Sequence, residues 1–178
     1  MIAIVSGTNR PNSKTEFISQ YLFDLIGKYT DEEVNLIKLT EIPPDLISPG
    51  MYATDGQSEA LAKLQDEVLI PSDKWILISP EYNGSYSGIV KVFLDALSVR
   101  NYAQTFNSKK TGLVGVASGR AGNLRGLDHL TTSLNYLGMN IFPNRLPIAQ
   151  IDSKITDDKL NDETIDVLNK FLENFVKF

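Results

Sequence analysis

Short apolar runs rich in Ile and Val recur along the chain at Ile2–Val5, Val34–Leu39, Trp75–Ile78 and Gly112–Val116. These runs are continuous rather than alternating, the pattern of strands covered on both faces. A fifth, weaker run lies near Asn140–Phe142 and resumes at Leu146–Ile151 after Pro143. Between the runs the apolar residues change to helical spacing. In Thr15–Lys28, Phe17, Ile18, Tyr21, Leu22, Leu25 and Ile26 fall on one stripe. Ser58–Leu69, Ile89–Ser98, Leu124–Leu137 and Asp162–Val176 follow the same rule, the last with Asn161 or Asp162 near its cap.

Strict alternation of strand and helix predicts a parallel sheet with right-handed crossovers and helices on both faces. Five strands favour an α/β three-layer sandwich of the flavodoxin-like order 2-1-3-4-5 over the six-stranded dinucleotide fold. No break in composition divides the chain, so residues 1–178 are expected to form a single domain. The Pro- and Gly-rich stretch Ile42–Gly56 reads as a surface excursion.

Composition narrows the chemistry. The chain has no cysteine, which removes disulfides, thiol nucleophiles, iron–sulfur ligation and thiolate zinc sites, and no metal site is read from it. A net charge of −5 without any Lys/Arg run disfavours nucleic acid and polybasic membrane contacts. No apolar run approaches membrane-spanning length. The first residues lack a basic segment followed by a long apolar one, so a cytoplasmic location is expected.

In open parallel sheets ligands bind beyond the carboxyl ends of the strands. Three unusual loops reach that edge. Ser6–Thr15 opens a helix with hydroxyls at Thr8, Ser13 and Thr15 and a cation at Arg10, which suits a phosphate at a helix N-terminus. Ser13 equally suits a plain helix cap, and Asn9-Arg10-Pro11 a plain turn. The loop carries neither G-x-G-x-x-G nor the P-loop pattern. Ser79–Gly88 is rich in Gly and Asn and keeps backbone amides accessible to a flat heteroaromatic ring, while Tyr82 or Tyr86 would cover a face of it. The other reading is a surface loop whose tyrosines pack on the next helix. In Ala117–Gly126, Gly119 and Gly122 either admit a ligand edge or only tighten the turn. Three such loops on one edge are stronger than any one of them.

With these loops in view, the chain from Met1 to about Leu146 resembles the NADPH-dependent FMN reductase family of flavodoxin-like proteins, which includes quinone, azo-dye and chromate reductases. The resemblance rests on Pro80-Glu81-Tyr82-Asn83-Gly84-Ser85 after the third strand and on Gly7-Thr8-Asn9-Arg10-Pro11-Asn12-Ser13 after the first. It implies that Thr8, Arg10, Ser13 and Thr15 surround an FMN phosphate. Pro80, Glu81, Tyr82, Asn83 and Gly84 would border the isoalloxazine ring, with Ser118, Gly119 and Gly122 against its opposite rim. The third family loop reads G-x-x-G-G, whereas this chain has Gly119-Arg120-Ala121-Gly122-Asn123. Arg120 would lie beside the flavin, with no single role assigned to it.

The activity implied is an NAD(P)H oxidoreductase that passes electrons through FMN to a small acceptor: a quinone, an azo compound, a metal oxyanion or free flavin. NADPH or NADH would be co-substrate, and no side-chain acid or base is compulsory for hydride transfer. A flavodoxin-type electron carrier and a non-enzymatic flavin-binding protein stay open as alternatives. The family also implies a homodimer or homotetramer. Tyr86, Val90, Phe93 and Leu94 either serve that contact or pack the third helix on the sheet. His129, inside the fourth helical pattern, is assigned no role.

Overall fold

The strands sort themselves by which face each side chain meets. The computed structural model describes residues 1–43, 46–54 and 56–178. Strand β1 (Ile2–Ser6) is wholly buried and pairs in parallel with β2 (Val34–Lys38) on one side and β3 (Lys74–Tyr82) on the other. Strand β5 (Lys110–Val116) pairs in parallel with β3. Two short strands, β6 (Asn140–Ile141) and β7 (Leu146–Ile148), both pair in parallel with β5 and together make the fifth strand. The order is β2-β1-β3-β5-β6, the doubly wound arrangement expected from the alternation. Pro143, which has no N–H to donate, lies in the break between β6 and β7. A short antiparallel strand, β4 (Ser85–Tyr86), folds back on the end of β3.

Alternate residues of the central strands feed two cores. Ile2, Ile4, Ile76, Ile78, Val114 and Val116 pack with Ile18 and Leu22 of α1 (Lys14–Ile26) and with Leu168, Phe171, Leu172 and Phe175 of α6 (Asp162–Lys177). Ala3, Val5, Trp75, Leu77 and Leu113 pack on the other face with Val90, Phe93 and Leu94 of α3 (Gly88–Leu97) and Leu127, Leu130 and Leu134 of α5 (Leu124–Tyr136). This double coverage explains the unbroken apolar runs. Val90, Phe93 and Leu94 are spent on that core, so of the two readings for them the packing one holds.

Caps set the helix starts. Ser13 Oγ accepts from the Glu16 N–H at 3.2 Å, and Asn161 Oδ1 from the Thr164 N–H at 3.0 Å. The helix expected over Ser58–Leu69 is α2 (Glu59–Leu64) followed by a π turn over Gln65–Leu69. The wider turn carries Gln65, whose buried Nε2 donates to Leu97 O at 3.0 Å, Arg100 O at 2.7 Å and Thr105 Oγ1 at 2.7 Å. Helix α4 (Tyr102–Phe106) and the hairpin β8 (Ile155–Thr156) and β9 (Lys159–Leu160) are too short to show a period, and the apolar pattern did not predict them. In the excursion Ile42–Gly56, Leu46 and Met51 are buried, while Pro44, Asp45 and Asp55 lie outside the described residues.

Gly115 of β5 makes room for the loop above it. A Cβ there would lie 2.4 Å from the carbonyl oxygen of Gly122. Gly115→Ala is therefore expected to displace the β5–α5 loop and to cost about 1–3 kcal/mol, as overpacking usually does. Urea unfolding of the variant against the parent chain measures this, and a change below about 0.5 kcal/mol would show that the loop yields freely.

Candidate functional site

The loop after β1 is held from below and free above. Gly7 N donates to Ile78 O at 2.7 Å, and Gly7 O accepts from Ser87 Oγ at 2.5 Å. Thr8 is buried, and its Oγ1 accepts from the Arg10 N–H at 3.1 Å and lies 3.3 Å from Tyr82 Oη. Ser13 spends a lone pair on the α1 cap and keeps its hydroxyl proton to donate. Arg10 and Lys14 are exposed, and among the described residues neither has an acidic partner within ion-pair distance. Cations and the N–H groups of a helix start thus face the same space, an arrangement that attracts an anion.

The loop after β3 is a hairpin. Asn83 and Gly84 take φ of 53° and 75° between the paired residues Tyr82 and Ser85. Two successive left-handed residues form the tight turn whose twist matches the strands, and Asn-Gly is its favoured sequence. Ser79 Oγ accepts from the Ser87 N–H at 3.2 Å, tying the return strand to β3. Two side-chain contacts pin the hairpin to α5: Tyr86 Oη to Ser133 Oγ at 3.2 Å, and Ser85 Oγ to His129 Nδ1 at 2.9 Å. His129, given no role from the sequence, is thus a hydrogen-bond partner of the hairpin.

The loop after β5 is anchored to the fifth strand. Ala117 N donates to Ile148 O at 3.0 Å, Ile151 N to Ala117 O at 3.1 Å and Gln150 N to Gly119 O at 3.1 Å. These bonds bring Asp152 to the same edge. Asn123, at the start of α5, is buried and sends its side-chain amide to Ser79 O and Pro80 O, at 3.1 and 2.9 Å.

The loops enclose a cleft of about 280 Å³ lined by Arg10, Asn12, Ser13, Lys14, Thr15, Pro80, Glu81, Tyr82, Val116, Ser118 and Asp152. Of the residues nominated from sequence, Arg10, Ser13, Thr15, Pro80, Glu81, Tyr82 and Ser118 come together there. Thr8 lies buried, and Asn83 and Gly84 form the hairpin tip. Gly119 and Gly122 belong to the third loop without lining the cleft. Asp152 was not nominated, because only the pairing of the fifth strand brings it in. A larger groove, about 550 Å³, lies away from this edge between α3, α4 and α5, lined by Lys91, Leu94, Asp95, Ser98, Tyr102, Thr132, Ser133, Tyr136 and Leu137. In it the Asp95 carboxylate holds the Lys91 ammonium above its ordinary pKa through a hydrogen bond.

The model of the NADPH-dependent FMN reductase family matches residues 1–152. The chain belongs to that family. It is an NAD(P)H-dependent FMN reductase, with FMN as cofactor and a reduced nicotinamide as co-substrate. Among curated relatives, an FMN-dependent NADPH-azoreductase of Staphylococcus saprophyticus is 29% identical over 157 residues, covering 87% of this chain and 80% of the relative. A quinone reductase of Pseudomonas putida is 26% identical over 186 residues, covering 99% and 93%. In fold, the reductase is similar to a flavoenzyme NAD(P)H:(acceptor) oxidoreductase from Paracoccus denitrificans, with a TM-score of 0.74, 22% identity and coverage of 99% and 94%. Among the described residues no helix is long and apolar enough to cross a membrane.

Close approach does not explain Gly84, since a Cβ there would meet nothing within 4 Å; its φ of 75° does. Gly84→Ala is expected to cost about 1–2 kcal/mol by left-handed strain alone. Chemical denaturation tests this, and an unchanged midpoint would mean that the hairpin turn relaxes to another form.

Proposed function

We propose that the reductase holds FMN in the cleft at the carboxyl edge of the sheet, phosphate toward Arg10, Ser13, Lys14 and Thr15 and ring toward the Pro80–Gly84 hairpin. The observation that carries this reading is the meeting of unpaired cations, free hydroxyls and the α1 N-terminus with a hairpin one strand away. The donor set fits the group. A dianionic phosphate takes charge-assisted bonds from Arg10 and Lys14 and neutral ones from the Ser13 and Thr15 hydroxyls. The cleft is small for a whole cofactor, so the ring lies outward against Tyr82, Asn83 and Gly84, with Ser118, Gly119 and Gly122 on its other rim. Thr8 supports the phosphate loop from beneath through Tyr82.

Bound FMN supplies a carrier that takes a hydride from a nicotinamide and yields electrons to a second substrate. The protein's own work is to bind, orient and shield. Pro80 and Tyr82 form an apolar wall, and the hairpin's fixed backbone offers donors to a ring edge. We assign the acceptor to small planar aromatics of the quinone or azo class, which the names of the relatives support. Residues 1–178 act as a single domain, in the cytoplasm, as a homodimer. The second copy covers the α3–α5 groove, where Tyr136 is 86% exposed beside Leu137 and where Lys91 and Asp95, one turn apart on α3, form an ion pair.

Added NADPH is expected to bleach the absorbance bands of protein-bound FMN in the absence of oxygen, and persistence of those bands would overturn the reductase reading. Arg10→Ala should weaken FMN binding by about 1.5–3 kcal/mol, roughly 10- to 150-fold, if Arg10 meets the phosphate. An unchanged dissociation constant in a fluorescence titration would remove Arg10 from the site. Tyr136→Glu should turn a sedimenting dimer into a monomer, and a monomeric parent chain would refute the proposed interface.

A further inference from the structure

Asn123 stands where the family pattern G-x-x-G-G has the last of its three glycines. Its backbone is left-handed, φ 65°, a conformation that glycine adopts freely and asparagine only at a cost. It is fully buried, and its Oδ1 has no hydrogen-bond partner, a second cost. Against these stand three bonds that all cross from the third loop to the second. Nδ2 donates to Ser79 O and Pro80 O, and the main-chain N–H donates to Glu81 Oε2 at 3.2 Å. The residue therefore gives up local comfort to fasten the Ser79–Glu81 segment, of which Pro80 and Glu81 line the cleft, to the start of α5.

We propose that Asn123 is a positioning residue for the flavin ring: a clamp that makes the hairpin and the β5–α5 loop one rigid rim. This deepens the reading above and rests on it. The clamp acts on the ring end alone, because none of its partners belongs to the β1–α1 loop. Its side chain also fills space that a glycine would leave empty, and without it the Ser79 and Pro80 carbonyls lose their shared donor. The rim would then be tied at this point by the main-chain N–H on Glu81 Oε2 alone, and Ser79 and Pro80 would be free to shift.

Asn123→Gly tests this, since glycine accepts the left-handed backbone and so deletes the two side-chain bonds of the clamp without adding strain, leaving the main-chain bond to Glu81 in place. Three probes are titrated into the variant and the parent chain: FMN, riboflavin and inorganic phosphate, the last as a competitor of FMN. The expected result is an equal loss of FMN and riboflavin affinity, roughly 10- to 100-fold, with phosphate competition unchanged. Arg10→Ala serves as the contrast, weakening FMN and phosphate but not riboflavin. Amide hydrogen exchange on the protein without flavin should be faster at Glu81–Gly84 in Asn123→Gly. FMN and riboflavin affinities within about twofold of the parent would overturn the proposal, as would a matching loss for phosphate. Should the parent chain itself bind no FMN, the reading of the cleft fails, and unchanged exchange at Glu81–Gly84 would then overturn the clamp separately.

Discussion

Everything at the carboxyl edge depends on how β3 is paired with its two neighbours. Strand β1 stops at Ser6, opposite Ile78, whereas β3 runs on to Tyr82 and β5 reaches Val116, opposite Pro80. The sheet edge is therefore a step. The β1–α1 loop drops into the notch that the shorter strand leaves, and the extended end of β3 forms its wall. Thr8 can meet Tyr82 only because of this step. Parallel pairing also obliges each strand to cross over through a helix, which delivers every β–α loop to the same edge.

Strand ends leave backbone groups without ladder partners, and the loops satisfy one another. Ser87 joins Gly7 and Ser79, Asn123 joins Ser79 and Pro80, and Gln150 joins Gly119. What remains unspent faces outward: the cations Arg10 and Lys14, the Ser13 proton and the first N–H groups of α1. An acidic chain, net −5, thus carries a local cationic wall at the carboxyl edge of its sheet. Asp152 and Glu81 face the same cleft, so the site is zoned rather than uniformly basic.

Among the described residues the most exposed large hydrophobic side chain, Tyr136, lies away from this cleft, in the α3–α5 groove. The hairpin connects the two regions, since Tyr86 reaches Ser133 on the helix that lines the groove. Anything bound on α5 would therefore bear on the element that holds the hairpin.

The sequence by itself determined the layers, the strand order and the capped loop after β1, because these follow from local periodicity, from short crossovers and from a capped helix after a buried strand. Ser13, Asn161 and the broken fifth strand at Pro143 were legible for the same local reason. Only the tertiary structure decided that the Asn83-Gly84 turn closes a hairpin and that Val90, Phe93 and Leu94 belong to the core. It also decided that Asp152 lines the cleft and that Asn123 spans two loops. Those outcomes depend on which strand ends lie side by side and how far each extends, and no window of consecutive residues carries that information.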